Sequence, residues 1–285
     1  MENDFQADLD AILSKQRVNG GEFWSSTDGG IAKGGPFSTL DVGVMLSEIG
    51  YDRKSPEIRG IASLILGRTR PDGRIKVYPS GSMYPCQTAN AARTLCYLGY
   101  SDDPRLDGTY TYLLANQHVD GGWRCNSFKY GRGPETEFSN SGTTLTVLDV
   151  FRFTSHLNTE KKLDDAVESL LRHWETRLPL GPCHYGIGSL FMKIEYPMFR
   201  YNIFHYAYTL SFYDRAKKDP RFLDAVSTIT DRLTNGQIVV ESTNRKLADL
   251  EFCKLHAPSL LATKRYNEIL RNCKSPISIS TEKDG

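Results

Sequence analysis

One short phrase returns five times along the chain: a helix-like stretch ends in a glycine-bearing turn, which is followed by an aromatic or β-branched residue. The turns read Gln16-Arg17-Val18-Asn19-Gly20-Gly21, Pro71-Asp72-Gly73, Gln117-His118-Val119-Asp120-Gly121-Gly122-Trp123, Leu180-Gly181-Pro182 and Thr234-Asn235-Gly236. A spacing of roughly 50 residues marks repeated supersecondary units that bury a shared core. Each unit needs its neighbours to cover its apolar face, so the repeat predicts one domain over residues 1–285, with 274–285 as a disordered tail.

Between turns the chain reads as a pair of helices. The first of each pair is rich in small and apolar residues: Leu40 to Ile49, Thr88 to Leu98, Thr143 to Phe153 and Phe204 to Tyr213. The second carries one apolar stripe, as in Ile58, Ile61, Ala62 and Ile65, or Phe222, Ala225, Val226 and Ile229. The first member is therefore expected inside and the second outside. Three outer helices share a start, Ser55-Pro56, Asp103-Pro104 and Asp219-Pro220, each an N-cap side chain before a proline at the first helical position. Gly50 and Gly99 stand where a left-handed cap would end an inner helix. With a first helix near Phe5 to Arg17 and a last pair after Arg245, about eleven helices are expected. The predicted fold is an all-α (α/α) toroid of roughly five helix-pair repeats, its inner helices lining a central cavity and its glycine turns on one rim.

Lys and Arg number 35 against 34 Asp and Glu, so no global field draws in nucleic acid. No apolar run reaches the roughly 20 residues of a membrane span, and Met1-Glu2-Asn3-Asp4 is acidic rather than signal-like, so a cytoplasmic protein is expected. Six cysteines scattered over this length fit reduced thiols better than a disulfide scaffold. Composition leaves the oligomeric state open.

Gln117 to Trp123 matches Q-x-x-x-G-x-W, and Gln16 to Gly20 followed by Trp24 is a looser copy. In these residues, and in its helix alternation, the chain from about residue 5 to 240 resembles the terpene cyclase and protein prenyltransferase superfamily, the prenyltransferase and squalene oxidase repeat proteins. The resemblance implies an apolar central cavity that takes an isoprenoid or another apolar small molecule, and a transferase or cyclase activity. The departures matter as much. The D-x-D-D acid of the family's squalene cyclases is missing; Leu163-Asp164-Asp165 comes nearest, at the start of an outer helix. The membrane-anchoring segment of those cyclases and the Asp-x-Cys zinc ligands of the prenyltransferases are missing too.

Aligning the inner helices on Thr94-Leu95 and Thr209-Leu210 sets Asn90 opposite His205 and adds Asp41 and Thr143 to one polar rung. Polar groups inside a barrel need partners or solvent, so the rung is either a substrate-binding ring or a hydrogen-bonded core feature. Asp41, Asn90, His184 and His205 are the candidate catalytic residues. Cys86, Cys125, Cys183, His184 and His205 fall near the same rim, and thiolates and imidazoles are zinc ligands. Cys86 and Cys125 with Cys183 or His205 form the candidate zinc site; the competing reading treats the thiols as small buried hydrophobes. The aromatic run from Tyr196 to Tyr208 offers a wall for an isoprenoid chain or a carbocation, or simply packs. Glu135 and Glu137 read as acids over the mouth or as surface charge, while His118, His156, His173, His256, Cys96, Cys253 and Cys273 read as structural. A non-catalytic binding or scaffold toroid is the alternative to the enzyme.

Overall fold

The computed structural model describes residues 5–125 and 133–274, and among these every regular element is helical. Four helices form an inner wall: α2 (Thr39–Ile49), α4 (Pro85–Tyr97), α6 (Ser141–Phe151) and α8 (Ile203–Leu210). Outside them run α3 (Pro56–Leu66), α5 (Asp107–Ala115), α7 (Lys161–Thr176) and α10 (Pro220–Thr230). The assignment follows from burial: all 8 residues of α8 and 9 of the 11 in α2 are buried, against 5 of the 11 in α3. Helices α1 (Gln6–Leu13), α9 (Asp214–Lys217) and α11 (Leu260–Lys274) complete the described set. None of them is long and apolar enough to cross a membrane.

Local chemistry sets the element boundaries. The Ser55 hydroxyl accepts the Ile58 amide at the start of α3 and Asp219 accepts the Arg221 amide at that of α10, each beside its proline, whereas Asp103 accepts the Arg105 amide to open a 3-10 turn, Pro104–Leu106, ahead of α5. Gly50 ends α2 in the left-handed region at φ 85°, and Gly99 lies at φ 89° just past α4. The turns are built alike. An antiparallel bridge closes four of them (Gly20 to Ser26, Thr69 to Ile75, Leu180 to Tyr185, Thr234 to Gln237), and in the other the His118 amide donates to the Gly122 carbonyl at 2.8 Å.

Two of the turns also lie against the next outer helix. A Cβ on Gly73 would stand 2.0 Å from the Gly108 carbonyl oxygen in α5, and one on Gly121 would stand 2.6 Å from that of Asp165 in α7. Gln117 fastens the third turn by donating to the Gly121 and Lys162 carbonyls, both at 2.6 Å. The buried Trp123 indole donates to the Leu113 carbonyl at 2.7 Å. In the looser first copy Trp24 is equally buried, but its indole N–H has no partner.

The inner helices pack in sequence, α2 on α4, α4 on α6, α6 on α8, and α8 on α11. Arg265 of α11 then reaches Glu48 of α2 with two bonds, 2.9 and 3.0 Å, across 217 positions of sequence. Tyr196 donates to the same carboxylate at 2.5 Å. A second seam joins the first helix to the C-terminal part, where Asp8 accepts the amides of Glu251 and Phe252 at 3.1 and 2.8 Å. The wall is therefore a closed ring.

Three expectations need correction. Helix α1 ends at Leu13, four residues short of Arg17, and the chain continues in turns. The segment after Arg245 holds two short 3-10 turns, Arg245–Leu247 and Glu251–Cys253, and the single helix α11 rather than a helix pair. Helix α8 stops at Leu210, three residues early: the Ser211 hydroxyl bonds the Tyr208 carbonyl, and the chain turns into α9. Of the tail expected over 274–285, Lys274 ends α11 and the remainder lies outside the described residues.

Candidate functional site

Asn90 in α4, Thr143 in α6 and His205 in α8 line one cavity of about 280 Å³ inside the ring. Leu40, Val77 and Phe199 supply its apolar wall, and Gln87, Thr146 and Arg200 add polar groups. Asp41 opens instead into a neighbouring cavity of about 380 Å³, together with Glu195 and Arg245. Phe199 and Arg200 wall both spaces and so partition the rung. His184 lines neither: it sits within the turn closed by Leu180 and Tyr185, at φ 50°, its imidazole 3.6 Å from Glu135. Glu137 pairs with Arg124 at 3.3 Å. A further cavity of about 350 Å³ lies outside the ring, between α6 and α7, and contains none of the rung.

The environments of Asp41 and His205 differ. Loss of water raises the Asp41 carboxyl above its ordinary value, only partly offset by the Ser38 hydroxyl at 2.8 Å and the charge of Arg93. Asp41 thus favours its protonated form more than a surface aspartate does. His205 is buried with two acceptor oxygens near its ring nitrogens, the Arg200 carbonyl 3.2 Å from Nδ1 and Asp149 3.2 Å from Nε2. Burial, helped by Arg93, pulls its pKa below the ordinary histidine value despite Asp149. A neutral ring has one proton to donate, and the carboxylate is the stronger acceptor, so Nε2–H faces Asp149. That leaves His205 as a strut of the cavity wall.

The rim thiols do gather. The sulfurs of Cys86 and Cys125 are 3.0 Å apart, and Cys183 is near enough for its charge to act on Cys86. Zinc does not fit them as they stand. Tetrahedral zinc with sulfurs at about 2.3 Å holds them roughly 3.7 Å from each other. The Nε2–H of His205 is committed to Asp149, and among the described residues no group of three or more His, Cys, Asp or Glu side chains is arranged to hold a metal.

The most heavily charged part of the interior lies outside the candidate residues of the sequence. Asp149 of α6 bonds Arg93 of α4 through one oxygen and Arg152 through the other, all three side chains almost inaccessible. Arg93 also donates to the Met198 carbonyl at 2.8 Å. Burial opposes the Asp149 charge, but Arg152 and Arg93 outweigh it and hold the carboxyl well below its usual range. The Arg152 guanidinium lies 4.0 to 5.2 Å from the ring centres of Phe153, Phe212, Tyr208 and Tyr97. An aromatic cage for a cation thus exists, and the protein's own arginine fills it. Asn90 precedes Arg93 by one helical turn and Thr146 precedes Asp149 likewise, so the cavity occupies the early turns of the inner helices and the ion cluster closes off the later ones. Charged residues at helix positions that must be buried were the available signal.

No family model matches the chain, and no curated protein does. Among solved structures, the chain is similar to the apo form of MstE, a type II terpene cyclase from Scytonema, with a TM-score of 0.51 and 16% identity over 95% of this chain and 74% of that one. With the closed double layer of helices, this likeness shows a terpene cyclase-like α/α-toroid fold.

Proposed function

We propose that this toroid binds a compact amphipathic small molecule in the cavity of the polar rung, and that a short isoprenoid or terpenoid carrying a hydroxyl or carbonyl group is the ligand class. The observation that carries the reading is the convergence of Asn90, Thr143 and His205 from three repeats on a single cavity that also has an apolar wall. Small-molecule sites pair apolar surface with convergent polar groups, and here polar groups make up about half of the lining, which calls for an amphipathic ligand. At about 280 Å³ the space is at the lower edge of the range for such sites, and the Arg93–Asp149–Arg152 cluster stops it from deepening. A ten-carbon ligand suits it, and a thirty-carbon chain does not. The apolar body would lie against Leu40, Val77 and Phe199, with its polar end toward Asn90, Thr143 and Arg200.

The test is thermal denaturation with ten-carbon terpenoid alcohols and ketones beside a thirty-carbon polyprenyl alcohol. A ligand at 100 times its Kd stabilises by about 2.7 kcal/mol, a readable rise in Tm. Asn90→Ala and Thr143→Val should cut affinity about fivefold or more each, as expected when a bonded polar group is removed. The reading falls if no short ligand raises Tm, or if the long chain does so equally well.

An enzymatic reading is favoured by Asp41, whose raised pKa makes it a proton reservoir one side chain away from the cavity. Here Asp41 protonates an alkene or carbonyl of the bound molecule after Phe199 swings aside. Asp41→Asn would then abolish turnover while leaving binding intact; unchanged turnover would leave binding alone.

A further inference from the structure

Cys86 is the second residue of α4 and part of the cavity wall, and Cys125 follows the Gly121 turn. Their sulfurs, 3.0 Å apart, are about 1 Å beyond the ~2.05 Å of a formed disulfide. Cys86 is half-buried beside an open cavity, so a small oxidant can reach the pair from the ligand side. The Cys125 sulfur and then burial hold the Cys86 thiol above its usual range, so the thiolate is a minor form that a peroxide has to trap. Two other thiols supply internal controls. Cys96 is buried against the Tyr110 hydroxyl and Cys253 against the Leu247 carbonyl, each removed from solvent.

We infer that Cys86 and Cys125 are a reversible redox pair, joined as a disulfide in the cavity wall by a hydroperoxide. The sulfur that ionises attacks one peroxide oxygen, breaks the O–O bond and becomes a sulfenic acid as hydroxide leaves. Its partner then attacks that sulfenic sulfur and expels a second hydroxide, which takes up the partner's proton. Two thiols are oxidised by two electrons, hydrogen peroxide is reduced, and two waters form. A dithiol reverses the step through a mixed disulfide. The bond ties the start of α4 to the segment leaving the Gly121 turn, 39 positions away, and removes a thiol from the cavity wall. The inference rests on the sulfur pair and is independent of which ligand the cavity takes.

The full chain is treated with hydrogen peroxide, blocked with a maleimide and peptide-mapped without reduction. The expected result is a cross-link between the peptides of Cys86 and Cys125, in the wild type and in Cys183→Ser alike, with Cys96 and Cys253 alkylated only after denaturation. The cross-link should raise Tm by about 5 °C, reversed by dithiothreitol, and Cys125→Ser should show no such rise. Recovery of Cys86 and Cys125 unlinked at excess peroxide, or a cross-link that contains Cys183 instead, would overturn it.

Discussion

Replacing Asp149 by alanine would leave the Arg93 and Arg152 guanidiniums facing each other in a water-poor interior without a counter-ion. Removing one member of a buried ion cluster costs about 3–5 kcal/mol, and urea denaturation of Asp149→Ala should read a loss of that size. The pH dependence follows from the same carboxylate. Its folded pKa lies far below the ordinary 3.8, so its contribution is complete above pH 3.8 and is lost as the pH falls toward the folded value. Histidines act at higher pH. His173 is buried between the Tyr201 hydroxyl and the Leu178 carbonyl, and burial lowers its pKa, as it does that of His205. The unfolded chain takes up these protons first, so stability is full above about pH 6.5 and declines below it. Measured from pH 7 to pH 5, His173→Gln should flatten this decline by up to about 1.4 kcal/mol per pH unit. Residue types were legible in the sequence at this scale, but not pairings. Asp149 meets Arg93 across 56 positions and α4 against α6, which no local pattern encodes.

Element boundaries were far more legible, because caps and turns act over a few residues. The starts at Ser55 and Asp219 and the left-handed Gly50 each depend on groups within one turn of helix, while Asp103 caps only the 3-10 turn that precedes α5. Gly73 shows how far this goes: at φ 84°, with a carbonyl 2.0 Å from where its Cβ would be, it can hardly be anything else. Gly73→Ala should lower stability by about 2 kcal/mol or more in equilibrium unfolding, while an alanine at Gly50, with open space around its Cβ, should cost only the positive-φ penalty of about 1 kcal/mol. The end of α8 is not legible because its apolar pattern continues through Phe212 and Tyr213, whereas the Ser211 hydroxyl and the tighter backbone bonds that follow turn the chain. Of the rung, Asn90, Thr143 and His205 share a cavity, and Asp41 is set apart by Phe199 and Arg200, which arrive from a loop between repeats. Spacing within helices cannot forecast a loop that folds back into the ring.

At the scale of the molecule, the repeat period demanded that neighbouring pairs stack, but whether the stack stays open or closes is decided at its two ends. Closure here depends on Glu48 with Arg265 and on Asp8 with the amides of Glu251 and Phe252. Closure is also what makes the cavity of the rung an interior space rather than a groove. Arg265→Ala leaves the Glu48 carboxylate buried beside Tyr196 alone, and should cost about 3–5 kcal/mol. Amide hydrogen exchange on the wild type and Arg265→Ala, read helix by helix, is the most direct check. In a closed ring the variant loses protection tenfold or more in α2, residues 39–49, as well as in α11. Loss confined to α11, with α2 unchanged, would mean an open stack of helix pairs whose ends do not support each other.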